Sequence, residues 1–152
     1  MEALNLPAYD PRVRKGKGRF NEIWDPIRKK FVAMTPEEWV RQHILHFLTH
    51  YQGYPASLIR VEASLTYNRL RKRSDIVVYD KSGNALMLVE CKAPDVPLTE
   101  DVFHQVVMYN RTFTGRFLLV SNGLRHITCR IDPADKRVDL LPDIPDYTFL
   151  LH

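Results

Sequence analysis

The stretch Asp75–Lys92, DIVVYDKSGNALMLVECK, decides how this chain is to be read. Asp75 to Tyr79, DIVVY, is rich in β-branched side chains and predicts a strand. Asp80-Lys81-Ser82-Gly83-Asn84 has turn chemistry, and Ala85 to Cys91, ALMLVEC, reads as a second strand, apolar enough to be covered on both faces. Two strands around a Gly/Asn turn predict a hairpin, in which Asp75 at the start of one strand can meet Glu90 near the end of the other. Glu90 and Lys92 are two residues apart, so a regular strand points both to one face. Charged groups at the end of an apolar strand are rarely buried without a metal or a partner. Two carboxylates and an amine on one rim suit a hard cation such as Mg²⁺, which takes oxygen ligands and keeps several waters. Such a cation polarises a phosphodiester and lowers the pKa of a bound water. Lys92 can then orient that water or offset charge in the transition state. The plain alternative for the three residues is an exposed salt bridge at a strand end.

Upstream, Thr35-Pro36-Glu37-Glu38 is a helix start: an N-cap threonine, a proline at the first helical position and acids in the first turn. Glu38 stands three residues after Thr35, as a capping box asks. Val40, Ile44, Phe47, Leu48 and Tyr51 recur at helical spacing and Gly53 ends the run, which predicts a helix from Pro36 to about Tyr51. Glu37 shares a face with Val40, Arg41 and Ile44 and can look toward a sheet, whereas Glu38 points elsewhere and serves only the cap. Leu58 to Tyr67, with Ile59, Val61, Ala63 and Leu65 in alternation, predicts a strand. Downstream, Pro94 and Pro97 break the pattern, and a second helix starts near Thr99 with Val102, Val106 and Tyr109 on one face. Phe117 to Ser121 and His126 to Ile131 read as two more strands around a turn at Asn122-Gly123. The order αβββαββ, with strands grouped between helices, predicts an α/β (α+β) fold in which helices flank a mixed central sheet.

The 152 residues fit one domain able to bury a real core. With 45% hydrophobic and 26% charged residues the composition is that of an ordinary soluble domain. No apolar run is long enough to cross a bilayer, and no signal peptide is visible, so no membrane role is expected. Cys91 and Cys129 form no CxxC pair and no disulfide framework, which suits a reducing cytoplasm. The net charge is +4 and unevenly placed. Residues 12–19 read RVRKGKGR, and Arg28, Lys29 and Lys30 follow. We divide the chain into a basic segment, 1–34, packed on or extending from a domain at 35–152. The Gly-punctuated run is expected to be mobile, either as a solvated arm or as a phosphate contact. Phe20, Trp24 and Phe31 are read as staples for this segment. His43, His46 and His50 form a stripe with Trp39 that is expected to be solvated or partner-facing. Asp132, Asp135 and Asp139 are read as loop charges.

Asp75 followed after a spacer by Glu90-Cys91-Lys92 resembles the PD-(D/E)XK nuclease signature. PEEWVRQ from Pro36, KRSDIVVYD from Lys72, VECKAP from Val89 and HQVVMYN from His104 resemble the amino-terminal nuclease domain of type I restriction enzyme R subunits, over about Trp24 to Tyr147. The resemblance implies a restriction-endonuclease-like core and Mg²⁺-dependent DNA endonuclease activity, with Mn²⁺ as a substitute. It implies that Asp75 and Glu90 hold the metal, that Cys91 lends its backbone carbonyl, and that Lys92 is the catalytic lysine. Gln105 and Tyr109 match a Gln-xxx-Tyr motif that serves beside the site, and Glu37 matches an acid often found on the first helix. Ser74 stands where the signature has proline. The partners implied are DNA and other restriction–modification subunits. Residues matching a GxxxxGK[ST] phosphate loop are not present, so no ATP site is expected here. The alternative is a silent module of the same fold that binds nucleic acid or assembles without cutting. No separate recognition element is visible, so little sequence selectivity is expected.

Overall fold

The computed structural model describes residues 1–67, 70–110 and 115–152, and the side chains of all of these except 63–67 and 70–74. The alternation predicted through Ala63 and Leu65, and the Ser74 side chain, lie outside the described residues.

The first helix, α1 (Pro36–His50), begins as its sequence dictates, with the Thr35 hydroxyl accepting from the Glu38 N–H at 3.1 Å. The strands β4 (Ile59–Tyr67), β5 (Leu70–Tyr79) and β6 (Ala85–Cys91) follow, then α2 (Glu100–Tyr109), capped by Thr99. The strands β7 (Phe117–Ser121), β8 (His126–Ile131) and β9 (Val138–Leu141) complete a six-stranded sheet in the order β4-β5-β6-β7-β8-β9, and a short helix, α3 (Tyr147–Leu150), closes the chain. Only the β6–β7 pair is parallel among the described pairings of this sheet, because α2 carries the chain back between them. The sheet is mixed and the fold is α/β.

Alternation along the central strands splits the core in two. Ile76, Val78, Met87, Val89 and Cys91 face one side, where Val40, Ile44, Leu45 and Leu48 of α1 cover them. Val77, Leu88, Leu118 and Val120 face the other side with Val106 of α2. The helices therefore sandwich β5, β6 and β7, and Asp75 of β5 and Glu90 near the end of β6 stand beside these two apolar layers. At the other end of that hairpin the Asp80 carboxylate accepts from the N–H groups of Ser82 and Asn84, and Gly83 supplies the positive φ of +87°.

Four expectations change. β5 begins at Leu70, so Asp75 lies within a long strand and not at its start. Residues 12–19 do not trail as a mobile arm: β1 (Val13–Arg14), β2 (Glu22–Asp25) and β3 (Lys30–Ala33) form an antiparallel three-stranded sheet ahead of α1. Trp24 and Phe31 meet edge to face across β2 and β3, with Arg12 over both rings, and these rings plus short turns give the segment a reason to fold. Asp139 sits in β9 and not in a loop; only four residues form that strand, too few for a clear alternation. The histidine stripe is packed at one end: His43 is buried against Trp39 and Tyr9, His46 stacks between Tyr9 and His50, and His50 is exposed as expected.

Candidate active site

The β5–β6 pairing runs from Tyr79–Ala85 to Ile76–Val89, and its register sets Asp75 opposite Glu90. There the Asp75 side chain takes up a backbone donor: Oδ2 accepts from the Cys91 N–H at 2.7 Å. The N–H and C=O of one extended residue leave the same strand edge, so the Cys91 carbonyl also faces the Asp75 side. The other oxygen, Oδ1, accepts from Arg41 Nη2 of α1 at 2.8 Å. Lys92 is fixed by its own N–H, which donates to the Ser121 carbonyl of β7 at 2.8 Å.

Glu90 is the most perturbed carboxyl here. Burial, reinforced by the charge of Asp75, pushes its pKa up to about 8, while the nearby Lys92 ammonium pulls in the opposite direction. Its Oε1 is buried with no hydrogen-bond partner. Glu37 stands at the rim, 3.2 Å from Arg41 Nη2 and half exposed. Burial and the charge of Asp75 raise its pKa, and Arg41 and Lys92 oppose them. Asp75, Glu90, Lys92 and Glu37 are thus near enough to feel one another's charge. The Cys91 thiol points into the α1-side core, where burial raises its pKa, so it is inert.

Arg41 is the interior counter-ion of the site. Its side chain is 6% exposed; Nη1 lies 2.6 Å from Glu38 Oε1 and 3.8 Å from Glu62 Oε1. Burial works against its charge, yet Glu38 and Asp75 outweigh it and raise the guanidinium pKa. Arg28 continues the network, reaching Asp25 at 2.5 Å, Glu38 at 2.8 Å and Glu62 at 3.3 Å. Glu62 has a left-handed backbone, φ +53°, between the pairs Val61–Ile76 and Ala63–Ser74 of the β4–β5 ladder. That conformation costs a non-glycine residue about 1–2 kcal/mol, and such strain collects at functional sites. Here it interrupts the ladder directly across from Asp75. Glu37, Arg41, Glu62 and Asp95 line an open cleft of about 680 Å³ in front of this end of the sheet.

Among the described residues, no three His, Cys, Asp or Glu side chains are set together as metal ligands. Mg²⁺ does not require three, since it keeps several of its waters and is often held by one or two carboxylates. The orphaned Glu90 oxygen beside Asp75 fits such a cation, because an unpaired buried acceptor is costly until something positive meets it.

The sequence profile of the type I restriction enzyme R protein N terminus (HSDR_N) matches residues 36–145, well over half of the chain. The chain belongs to this family. Among solved structures, a fragment assigned to the HsdR subunit of a type I restriction enzyme from Vibrio vulnificus is similar over 78% of this chain, with a TM-score of 0.55 and 18% identity. The matched part is 25% of that chain, so this HSDR_N domain spans about a quarter of its length. A DUF820 protein from Anabaena variabilis, assigned as a nuclease, aligns over 96% of this chain and 87% of its own, with a TM-score of 0.49 and 10% identity. No curated protein is significantly similar to the chain.

Within the HSDR_N domain, Asp75, Glu90, Lys92 and Glu37 come together at one end of the sheet, with the Cys91 backbone beside them. Gln105 and Tyr109 are both exposed residues of α2, Tyr109 at 52%. Glu38 corrects the sequence reading. It is 5% exposed, and its carboxylate binds Arg28, Arg41 and Gln42 and does not reach back to close a capping box, since the Thr35 N–H goes to the Ala33 carbonyl. Arg41 was legible only as Glu37's i, i+4 partner. Glu62 carries no local sequence signal, because its role depends on a distorted backbone.

Proposed function

We propose that this domain hydrolyses DNA phosphodiesters with Mg²⁺, for which Mn²⁺ substitutes, held by Asp75, Glu90 and the Cys91 backbone carbonyl. The observation that carries the reading is Glu90: half-buried, with Oε1 buried and lacking a partner, facing Asp75 and within reach of the Lys92 charge. A bound divalent cation supplies Lewis acidity and a more acidic water. Asp75 is oriented for this work by the Cys91 N–H and by Arg41. Glu90 would hold the cation as a carboxylate. Lys92 places a positive charge beside the attacked phosphate, where it stabilises the extra charge of the transition state. Glu37 shapes the rim, and Gln105 and Tyr109 are candidate contacts to the DNA. Residues 35–152 are taken as the nuclease unit and 1–34 as an accessory sheet. ATP-driven movement is no part of this reading. We place the domain in the cytoplasm, in a restriction context with other subunits; no helix among the described residues is long and apolar enough to cross a membrane.

A second reading has its own observation. Arg41 already neutralises Asp75 Oδ1, as it would in a module that binds without cutting. Incubation with supercoiled plasmid separates the two. Hydrolysis predicts relaxed and linear DNA with Mg²⁺ or Mn²⁺ and none with a chelator; identical products under all three conditions favour the silent module.

A further inference from the structure

The family match begins at residue 36, which leaves the β1–β3 sheet outside it. That sheet carries Arg12, Arg14, Lys15, Lys17 and Arg19, all exposed, with no acid among residues 12–19. Three of the five have partners, Arg19 through the Phe20 ring 5.3 Å from its guanidinium. The Arg12 guanidinium lies 5.2 Å from the Trp24 ring, and Arg14 bonds Glu22 at 2.7 Å while lying 3.9 Å from the Phe31 ring. No ion pair among the described residues includes Lys15, Lys17 or Arg19.

These three cations line a cleft of about 580 Å³ with Arg14 and Phe20. A definite turn presents them. A side chain at Gly16 would collide with the Phe20 carbonyl oxygen, so glycine is what lets the chain fold back tightly between Lys15 and Lys17. Ala33, at the end of β3, lines both this basic cleft and the acidic cleft of Glu37, Glu38, Glu62 and Asp95, whose Arg41 bonds Asp75. The two clefts therefore adjoin. The juxtaposition answers an electrostatic difficulty: the acidic cleft repels a polyanion, and cations outside it must supply the attraction that holds the backbone.

We propose that the Lys15, Lys17 and Arg19 cleft binds the sugar–phosphate backbone of a nucleic acid whose scissile phosphate enters the adjoining acidic cleft. The nucleic-acid identity of the occupant rests on the nuclease reading above. Phosphate contacts of this kind position the substrate without reading its sequence.

The test measures fluorescence anisotropy of a labelled 20-mer DNA duplex, and of one of its strands alone, in chelator so that no turnover occurs. The full chain is compared with Lys15→Ala/Lys17→Ala/Arg19→Ala and with Lys29→Ala/Lys30→Ala/Lys81→Ala, which removes equal charge from exposed positions outside the cleft. The cleft variant is expected to bind at least about 10-fold more weakly at low salt, and its log K against log salt slope should be shallower by about 2–3 on duplex, or about 2 on single strand. The probe on which the difference appears identifies the source of the backbone. The control variant should stay within about 3-fold of the parent, as loss of diffuse charge alone predicts. Equal weakening by both variants, or none by the cleft variant, overturns the proposal. Because no cleavage is read, a protein that binds as expected yet fails to nick plasmid rejects the nuclease reading and not the cleft.

Discussion

Lys92→Ala should lower the rate of Mg²⁺-dependent plasmid nicking by about 10²- to 10³-fold, the usual effect of deleting one charged partner of a transition state. The loss should fall on the turnover rate, with DNA affinity in chelator nearly unchanged, because the basic cleft and not Lys92 supplies most of the phosphate contacts. Folding should survive: Lys92 is held by its backbone N–H on Ser121, which alanine keeps. Single-turnover nicking on the two proteins checks this, with far-UV circular dichroism to confirm the fold. A Lys92→Ala protein that nicks at the parent rate would remove the lysine from the chemistry and leave Asp75 and Glu90 as a cation site only.

Arg41→Ala should cost about 3–5 kcal/mol of unfolding free energy, the range for breaking a buried ion pair from one side. The cause is what stays behind. Glu38, 5% exposed, and Asp75, whose side chain is 16% exposed, each lose a guanidinium nitrogen within 2.8 Å. Arg28 still reaches Glu38, so that acid is partly compensated, whereas Asp75 keeps the Cys91 N–H but has no other cation among the ion pairs of the described residues to replace Arg41. Arg41→Lys should recover a minority of the loss, since one ammonium cannot bond Glu38 and Asp75 from two separate nitrogens. Urea denaturation of the three proteins reads the effect; a shift below about 1 kcal/mol would mean that the network is solvent-screened and unimportant to the fold.

The parts of this domain that were readable in sequence share a reason. The α1 start is written in four consecutive residues. The β5–β6 turn is written in Asp80 and Gly83, and β7 and β8 are short apolar runs between clear turn signals. The Asp75–Glu90 meeting follows from hairpin register, which depends on that same turn. What escaped depends on contacts remote in sequence. Glu38 was assigned to capping because its spacing from Thr35 allows it; the carboxylate is instead drawn inward by Arg28, ten residues earlier, and Arg41. Glu62 gains importance only because β4 twists into a left-handed step beside Asp75. The β1–β3 sheet was hidden because its strands are only two to four residues long, and the basic, Gly-broken run within it looks like linker.

The central claim is that Asp75 and Glu90 hold one divalent cation, and the protonation of Glu90 gives it a direct signature. A carboxyl pushed up to about 8 is largely protonated at neutral pH. In the metal-free protein, the stability Glu90 contributes is therefore complete below the ordinary carboxylate range and lost as pH rises through about 8. A cation must displace that proton. Calorimetric titration with Mn²⁺ near pH 7, in two buffers of different ionisation enthalpy, should show one ion bound and about one proton released per ion, with affinity rising as pH approaches 8. Glu90→Gln should abolish both the binding and the proton release. Binding without proton release, or a Glu90→Gln protein that binds Mn²⁺ as the parent does, would contradict the site.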